Sequence, residues 1–148
     1  MPLATDLSSY IATNIDQWIL PDGGTNTDGN IYELFLPDEP DLACCLYELP
    51  GTKVQRTLGK GFAFEQPRLR VVNRAPAGVM GNTATGWDKA RTDARAIWDL
   101  LRVVVNQTIN GVFYMIVDPS GNPQEQGLDA NQRPLYSQEF SVMKYLSD

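Results

Sequence analysis

The chain has 148 residues, of which 43% are hydrophobic and 20% are charged, as in an ordinary single-domain globular protein. No apolar run reaches the roughly 18 residues that a membrane span needs, and no basic stretch followed by an apolar one indicates a secretory signal. The absence of histidine excludes Ser-His and Cys-His nucleophile pairs and histidine-ligated metals. We therefore expect one domain over residues 1–148, with no cofactor, no metal and no membrane association.

The net charge is -6 and is distributed unevenly. Residues 1–50 contain nine acidic residues and no Lys or Arg, whereas residues 51–102 contain ten Lys or Arg and four acids. Two interpretations remain open. The charges form a polarised surface that binds copies of the chain or partners of opposite sign, or the two blocks interleave in the fold and the charges average out.

The first 50 residues predict one helix and two strands. Apolar residues recur every four positions over residues 3–20, which predicts an amphipathic helix ended by the turn residues 21–24. A short strand is expected at 31–36. An almost entirely apolar central strand is expected at 42–49, ended by a turn at 50–52.

Cys44 and Cys45 are the two cysteines. Adjacent side chains on a strand point to opposite faces, so a disulfide between them is not expected. They are typical of small buried apolar residues in a reducing compartment.

A basic region follows the central strand. Gly59-Lys60-Gly61 lacks the helix pattern and the Gly-Lys-Ser/Thr that a phosphate loop requires, so a loop between strands is favoured. The strand at 68–74 then places Arg68, Arg70 and Arg74 on one face. That face is open to three interpretations: solvent, an acidic neighbour or DNA phosphate.

Residues 85–105 predict the main helix, with Thr85 as its cap and Asp88 three residues later. Its apolar face contains Trp87 and Trp98, which we expect in the core instead of on a base-stacking surface. Its polar face carries three arginines: Arg91, Arg95 and Arg102.

The last third of the chain predicts a linker at 106–111, an apolar strand at 112–117 and a closing strand at 135–146. The polar segment 118–134 is longer than the usual connection, which favours an interaction arm. Together the elements predict an α+β domain. Its sheet is antiparallel or mixed, with about five strands and two main helices packed on one face.

No motif for catalysis or for reading nucleic acid is present. Asp38, Glu39 and Asp41 form an acidic cluster, but it lacks the ligand spacing and glycine of a calcium loop, so surface turn acids are favoured over a cation site. We expect the chain not to be an enzyme. A small carboxylate-based enzyme remains an alternative.

Five segments, in their order and spacing, resemble one known family: residues 35–41, 46–51, 64–74, 90–101 and 127–142. The most specific parts are Glu-x-Pro-x-Leu-x-Val-x-x-Arg, from Glu65 to Arg74, and Gly-x-Asp-x-x-x-Arg-Pro, from Gly127 to Pro134. The chain resembles the minor capsid proteins of tailed bacteriophages that are similar to tail terminators. Arg70 stands where glutamine is common in that family, and Ala130 where an acid is expected.

The resemblance implies a structural virion protein of the tail or neck, assembled in the host cytoplasm. Such proteins form a homo-oligomeric ring, usually a hexamer, that stops growth of the tail tube and joins it to the head-side connector or stopper. Double-stranded DNA passes through the lumen without sequence-specific binding. A ring requires a heterologous interface, in which one face of a subunit meets a different face of the next.

We expect eight charged residues to contribute subunit or partner contacts, together with the loop 76–82 and the segment 119–134. These residues are Arg68, Arg70, Arg74, Arg91, Arg95, Arg102, Asp129 and Arg133. An alternative role within the same particle is another neck component, either an adaptor or a head-completion protein.

Overall fold

The computed structural model describes residues 3–21, 29–56, 63–78 and 84–145, with side chains except at 52–56, 63 and 84. These residues form two helices and seven strands. The elements are α1 Leu3–Asn14, β1 Ile31–Glu33, β2 Ala43–Arg56, β3 Ala63–Arg74, α2 Ala84–Leu101, β4 Val105–Ile109, β5 Val112–Pro119, β6 Gln124–Leu128 and β7 Pro134–Tyr145.

All seven strands belong to one mixed sheet in the order β1-β2-β3-β7-β5-β4, with β6 also paired to β7. β1 runs parallel to β2, and every other pairing is antiparallel. β6 pairs with the first part of β7 and β5 with its second part, so β5 and β6 lie in line along one side of β7. The chain between them, residues 120–123, interrupts that line.

Both helices pack on one face of the sheet and enclose the main core. On α1 the four-residue spacing buries Leu3, Leu7 and Ile11 completely. On α2, Ile97 and Leu101 are also fully buried, against strand residues such as those at 69, 71, 140 and 142. The remaining face of the sheet has no helix on it in the described chain. We call it the open face.

Small residues bring the first half of α2 close to the sheet. Ala90 and Ala94 are fully buried, and their carbonyl oxygens each accept a 3.0 Å hydrogen bond from a strand amide, those of Asn73 and Gln138 respectively. Because these side-chain amides bond the backbone of α2, they fix the position of the helix across β3 and β7.

Two polar contacts of buried side chains join separate elements. The Tyr114 hydroxyl donates to the fully buried Asp6 carboxylate at 2.7 Å, which joins β5 to α1. Burial, and then this hydrogen bond, raises the pKa of Tyr114. Lys144 is 2% exposed and pairs with Glu65 at 3.1 Å. Each buried charge therefore has a partner, as burial of an ionised group requires.

The α+β class and the mixed sheet are confirmed, but the predicted count of about five strands is wrong. β4 lies where the main helix and a linker are expected, and β6 lies within the polar segment 118–134. Most β4 residues and all of β6 are exposed, so neither strand has the apolar alternation by which a strand is recognised.

Several element boundaries also differ from the prediction. α1 ends at Asn14, not at residue 20. A turn follows, in which the Trp18 amide donates to the Ile15 carbonyl oxygen, and the Asn30 side chain bonds the backbone at 17 and 19. α2 ends at Leu101. β2 continues through residues 50–52 instead of turning, and its register against β3 shifts there. The Gly59-Lys60-Gly61 loop lies outside the described residues, as do residues 79–82 of the loop 76–82.

Cys44 and Cys45 are buried and free, as predicted. Burial raises the pKa of the Cys44 thiol well above its usual range and that of Cys45 to about 11. Both therefore stay protonated at neutral pH and behave as small apolar side chains.

The irregular part of β2 requires a glycine at position 51. An added Cβ there would lie 2.0 Å from the Gln66 carbonyl oxygen. We expect Gly51→Ala to lower the free energy of unfolding by about 1–3 kcal/mol, because the backbone of β2 or β3 must shift. Gly121→Ala, where a Cβ meets nothing within 4 Å, is the control. Urea unfolding measures the free energy of unfolding of both variants. Equal values would contradict the requirement for glycine at position 51.

Candidate functional site

The eight charged residues expected at contacts lie at three separate places. Arg68 and Arg70 are on the open face of the sheet. Three more arginines, at 91, 95 and 102, are on the outer side of α2 or directly after it. Arg74, Asp129 and Arg133 belong to one cluster at the end of the sheet where β7 begins. The structure therefore offers several candidate assembly surfaces instead of one site.

On the open face, Arg68 and Arg70 share one carboxylate. Their Nη2 atoms lie 2.6 Å and 2.8 Å from the two oxygens of Glu139 on the neighbouring strand β7. The hydrogen bonds from Arg70, and then those from Arg68, lower the pKa of Glu139. Both arginine side chains are nearly half exposed. Asp118 lies on the same part of the face and lines one depression together with Arg68, so the two cations are matched by two carboxylates.

The open face also carries an apolar row next to these charges. Val105, Ile116 and Met143 lie side by side across β4, β5 and β7. Val105 is 52% exposed and Ile116 is 37% exposed. A solvated sheet face is normally polar, so an exposed apolar row is typical of a surface that binds a partner.

The outer side of α2 carries loosely paired arginines. Arg91 lies 3.4 Å from Asp88 and 4.0 Å from Glu125, and Arg95 lies 3.7 Å from Asp99. Their side chains are 60% and 56% exposed. Contacts of this length and exposure contribute little to stability, so these guanidinium groups remain available to a partner.

Trp98 connects this surface to the interrupted strand. Arg95 and Arg102 lie 4.4 Å and 5.0 Å from the centre of its ring, and its Nε1 donates to the Gly121 carbonyl oxygen at 3.0 Å. Trp98 packs against the main core, and Trp87 packs against a smaller cluster that includes Tyr136. Both tryptophans therefore contribute to the core, as predicted.

An open groove of about 640 Å³ lies between α2 and residues 122–123. We call it the α2 groove. Its lining includes Tyr136 and the small residues Ala96 and Pro123. Its remaining lining residues are Arg91, Thr92, Arg95, Asp99 and Asn122.

The third place is a dense ionic cluster around Arg133. Its guanidinium group lies 2.7 Å from Asp38, 3.0 Å from Asp41 and 2.8 Å from Asp129. Arg74 donates to the carbonyl oxygens of residues 38, 40 and 41. We call Arg74, Arg133, Asp38, Asp41 and Asp129 the Arg133 cluster. It fastens the connection between β1 and β2 to the start of β7.

The cluster changes the interpretation of its members. Arg74 is 3% and Arg133 4% exposed, so neither is accessible on the isolated chain. Their role at a subunit contact remains a prediction. Burial alone would raise the pKa of Asp129, but hydrogen bonds from Arg133 and the Asn131 backbone lower it. Asp38 and Asp41 bind guanidinium, and the described residues contain no group of three acidic or thiol side chains that could hold a metal.

These contacts bear on the uneven charge of the chain. Asp38 and Asp41, from the acidic first third, pair with Arg133 from the last third. The arginines of α2 pair with acids of the same helix or of β6. The pairing pattern favours interleaved charges over two strongly polarised faces.

One exposed feature is absent from the sequence prediction. Leu34 is 81% and Phe35 66% exposed, although the apolar pattern placed both in a strand at 31–36. Leu34 has φ of 77°, in the left-handed region. We call this pair the Leu34–Phe35 knob. The residue types alone indicate burial, so no sequence signal would have found it.

This chain is similar to chains in solved structures. The solved virion of a native gene transfer agent particle contains a chain that matches this one with a TM-score of 0.59 and 12% identity, over 97% of this chain and 98% of that chain. A second solved structure matches with a TM-score of 0.49 and 11% identity over 99% of both chains. At such identity the first likeness establishes a common fold over nearly the whole chain. No protein-family model and no curated protein matches.

Neither helix in the described part of the chain combines the length and the apolar character that crossing a bilayer would require.

The Arg133 cluster predicts a large effect on stability. We expect Arg133→Met to lower the free energy of unfolding by about 2–3 kcal/mol, because three carboxylates lose their shared cation. The value lies below that for fully buried pairs because Asp38 and Asp41 are more than half exposed. Arg95→Met, at an exposed pair, is the control and should change stability by no more than about 0.5 kcal/mol. Equal effects in urea unfolding would contradict the structural role of the cluster.

The lowered pKa values of Glu139 and Asp129 predict acid sensitivity. A carboxyl group with a folded-state pKa below its unfolded value stabilises the fold above the unfolded pKa, and this contribution is lost as pH falls through the folded pKa. Stability should therefore decline below the ordinary values of 4.5 and 3.8. Urea unfolding between about pH 6 and about pH 3 should show a shallower decline for Glu139→Gln than for the unmodified chain. Parallel curves would contradict the prediction.

Proposed function

We propose that the chain is a structural component of a phage-like virion. In this proposal it forms a homo-oligomeric ring, six-fold by family resemblance, at the junction of head and tail. The ring ends the tail tube and joins it to the head-side connector or stopper. The role is architectural and not enzymatic.

The observation that carries the proposal is the full-length likeness of fold to a chain of the gene transfer agent virion. It supports the resemblance of residues 65–74 and 127–134 to tail-terminator-like proteins. These segments form β3 and the hairpin that leads into β7. The motif residues Arg74, Asp129 and Arg133 meet in one cluster, which explains why they occur together.

The distribution of surfaces also supports a ring subunit. Such a subunit needs one surface for each of its two neighbours and further surfaces for the tube and the connector. The open face, the α2 groove and the Leu34–Phe35 knob are distinct exposed features with different chemistry.

The first test is the state of assembly. We expect native mass measurement to detect a closed oligomer, either of the chain alone at high concentration or in the presence of the tail-tube protein. A chain that remains monomeric under both conditions would overturn the ring.

The second test separates the terminator from another neck role. A particle that lacks this gene should produce overlong tubes, because nothing stops tube growth. Tails of normal length that fail to join filled heads would instead assign the chain to an adaptor or head-completion role.

A further inference from the structure

The Leu34–Phe35 knob is an unusual way to expose apolar surface. A left-handed φ is sterically unfavourable for a leucine. Leu34 has φ of 77°, and it and Phe35 are 81% and 66% exposed. Strain that turns two large apolar side chains toward solvent is not explained by the stability of the isolated chain. It points to a contact that the monomer leaves unmade.

The knob is held in place before any partner binds. Its first residue follows β1 directly, and the Leu34 amide faces the Leu46 carbonyl oxygen at 3.4 Å. A few residues later the Arg133 cluster fixes the backbone at 38–41 through Arg74 and Arg133. A loop secured at both ends loses little conformational freedom on binding, which favours affinity.

The α2 groove and the knob adjoin different strands of the sheet. The knob follows β1, and the groove adjoins β6. The strand order β1-β2-β3-β7 with β6 beyond β7 separates β1 from β6 by four strand spacings, or about 19 Å. Neither knob residue lines the groove of its own molecule, so both surfaces remain free to meet another molecule.

The chemistry of the two surfaces is complementary. The groove has the apolar lining residues Ala96 and Pro123, and its two lining arginines, Arg91 and Arg95, are only loosely paired with Asp88, Glu125 and Asp99. The knob loop carries an excess of negative charge, because the Arg133 cluster and the adjoining Glu39 contain four carboxylates for two guanidinium groups. Glu39 is exposed and has no ion pair in the described chain. An aromatic ring beside arginine also gains a cation–π contact.

We propose that the Leu34–Phe35 knob of one copy binds in the α2 groove of a second copy. The contact is heterologous, because the knob and the groove are different surfaces, and it leaves one free knob and one free groove on every pair. It can therefore propagate from subunit to subunit and close into a ring. The inference rests on the proposed ring and names the residues that join its subunits.

Two variants disable the two halves of the contact separately. Phe35→Glu places a charge on the knob and leaves the groove intact. Arg95→Glu reverses the charge of the groove and leaves the knob intact. Both positions are exposed, so the variants should fold, and circular dichroism and thermal unfolding verify this. Val103→Glu, at a position 60% exposed and outside both surfaces, is the matched control.

The measurement is analytical ultracentrifugation under conditions in which the unmodified chain assembles, alone or with tail-tube protein. We expect Val103→Glu to assemble and each of the other two variants to remain monomeric. An equimolar mixture of Phe35→Glu and Arg95→Glu should form dimers and nothing larger, because only the knob of the second and the groove of the first remain functional. A symmetric contact or a general loss of solubility would not produce this pattern.

The outcomes separate the inference from the ring itself. If the unmodified chain assembles and both variants assemble equally well, the knob–groove contact is overturned and the ring stands. If the variants are monomeric and their mixture stays monomeric, knob and groove do not bind each other, and the inference is overturned. If the unmodified chain forms no oligomer under either condition, both the proposed ring and the knob–groove contact are overturned.

Discussion

The structure depends on how one buried cation is neutralised. Arg133 is almost fully buried, and a guanidinium group in that position must be matched by anions or it would destabilise the fold by several kcal/mol. The three carboxylates that match it come from two regions more than 80 residues apart in sequence. The turn before β7 and the connection between β1 and β2 are therefore fixed relative to each other. Arg74 also holds this connection, because its guanidinium group donates to the carbonyl oxygens of residues 40 and 41.

The difference between tight and loose arginine pairs divides the molecule into structural and contact regions. The arginines of the Arg133 cluster are buried and make several short hydrogen bonds each, so they support the fold. Those of α2 are exposed and more than 3 Å from most of their acids, so they are the ones a partner can recruit. Arg68 and Arg70 lie between these cases, because they are tightly bound to Glu139 and yet nearly half exposed.

The sequence predicts those parts of the fold that are periodic and buried. α1, the core of α2 and the buried strands follow from the spacing of apolar residues. β4 and β6 do not, because exposed strands lack that spacing. For the site, residue types identify Arg68, Arg70 and the arginines of α2, but pairing across 95 positions, as between Asp38 and Arg133, leaves no local pattern. The exposure of Leu34 and Phe35 runs against their apolar type, so it becomes evident only in three dimensions.

The interruption between β5 and β6 gives the surfaces a common element. Residues 120–122 border a depression on the open face, and residues 122–123 border the α2 groove, while Trp98 holds the same segment through Gly121. The same few backbone units therefore border both surfaces, so a change in this segment alters the shape of both surfaces at once.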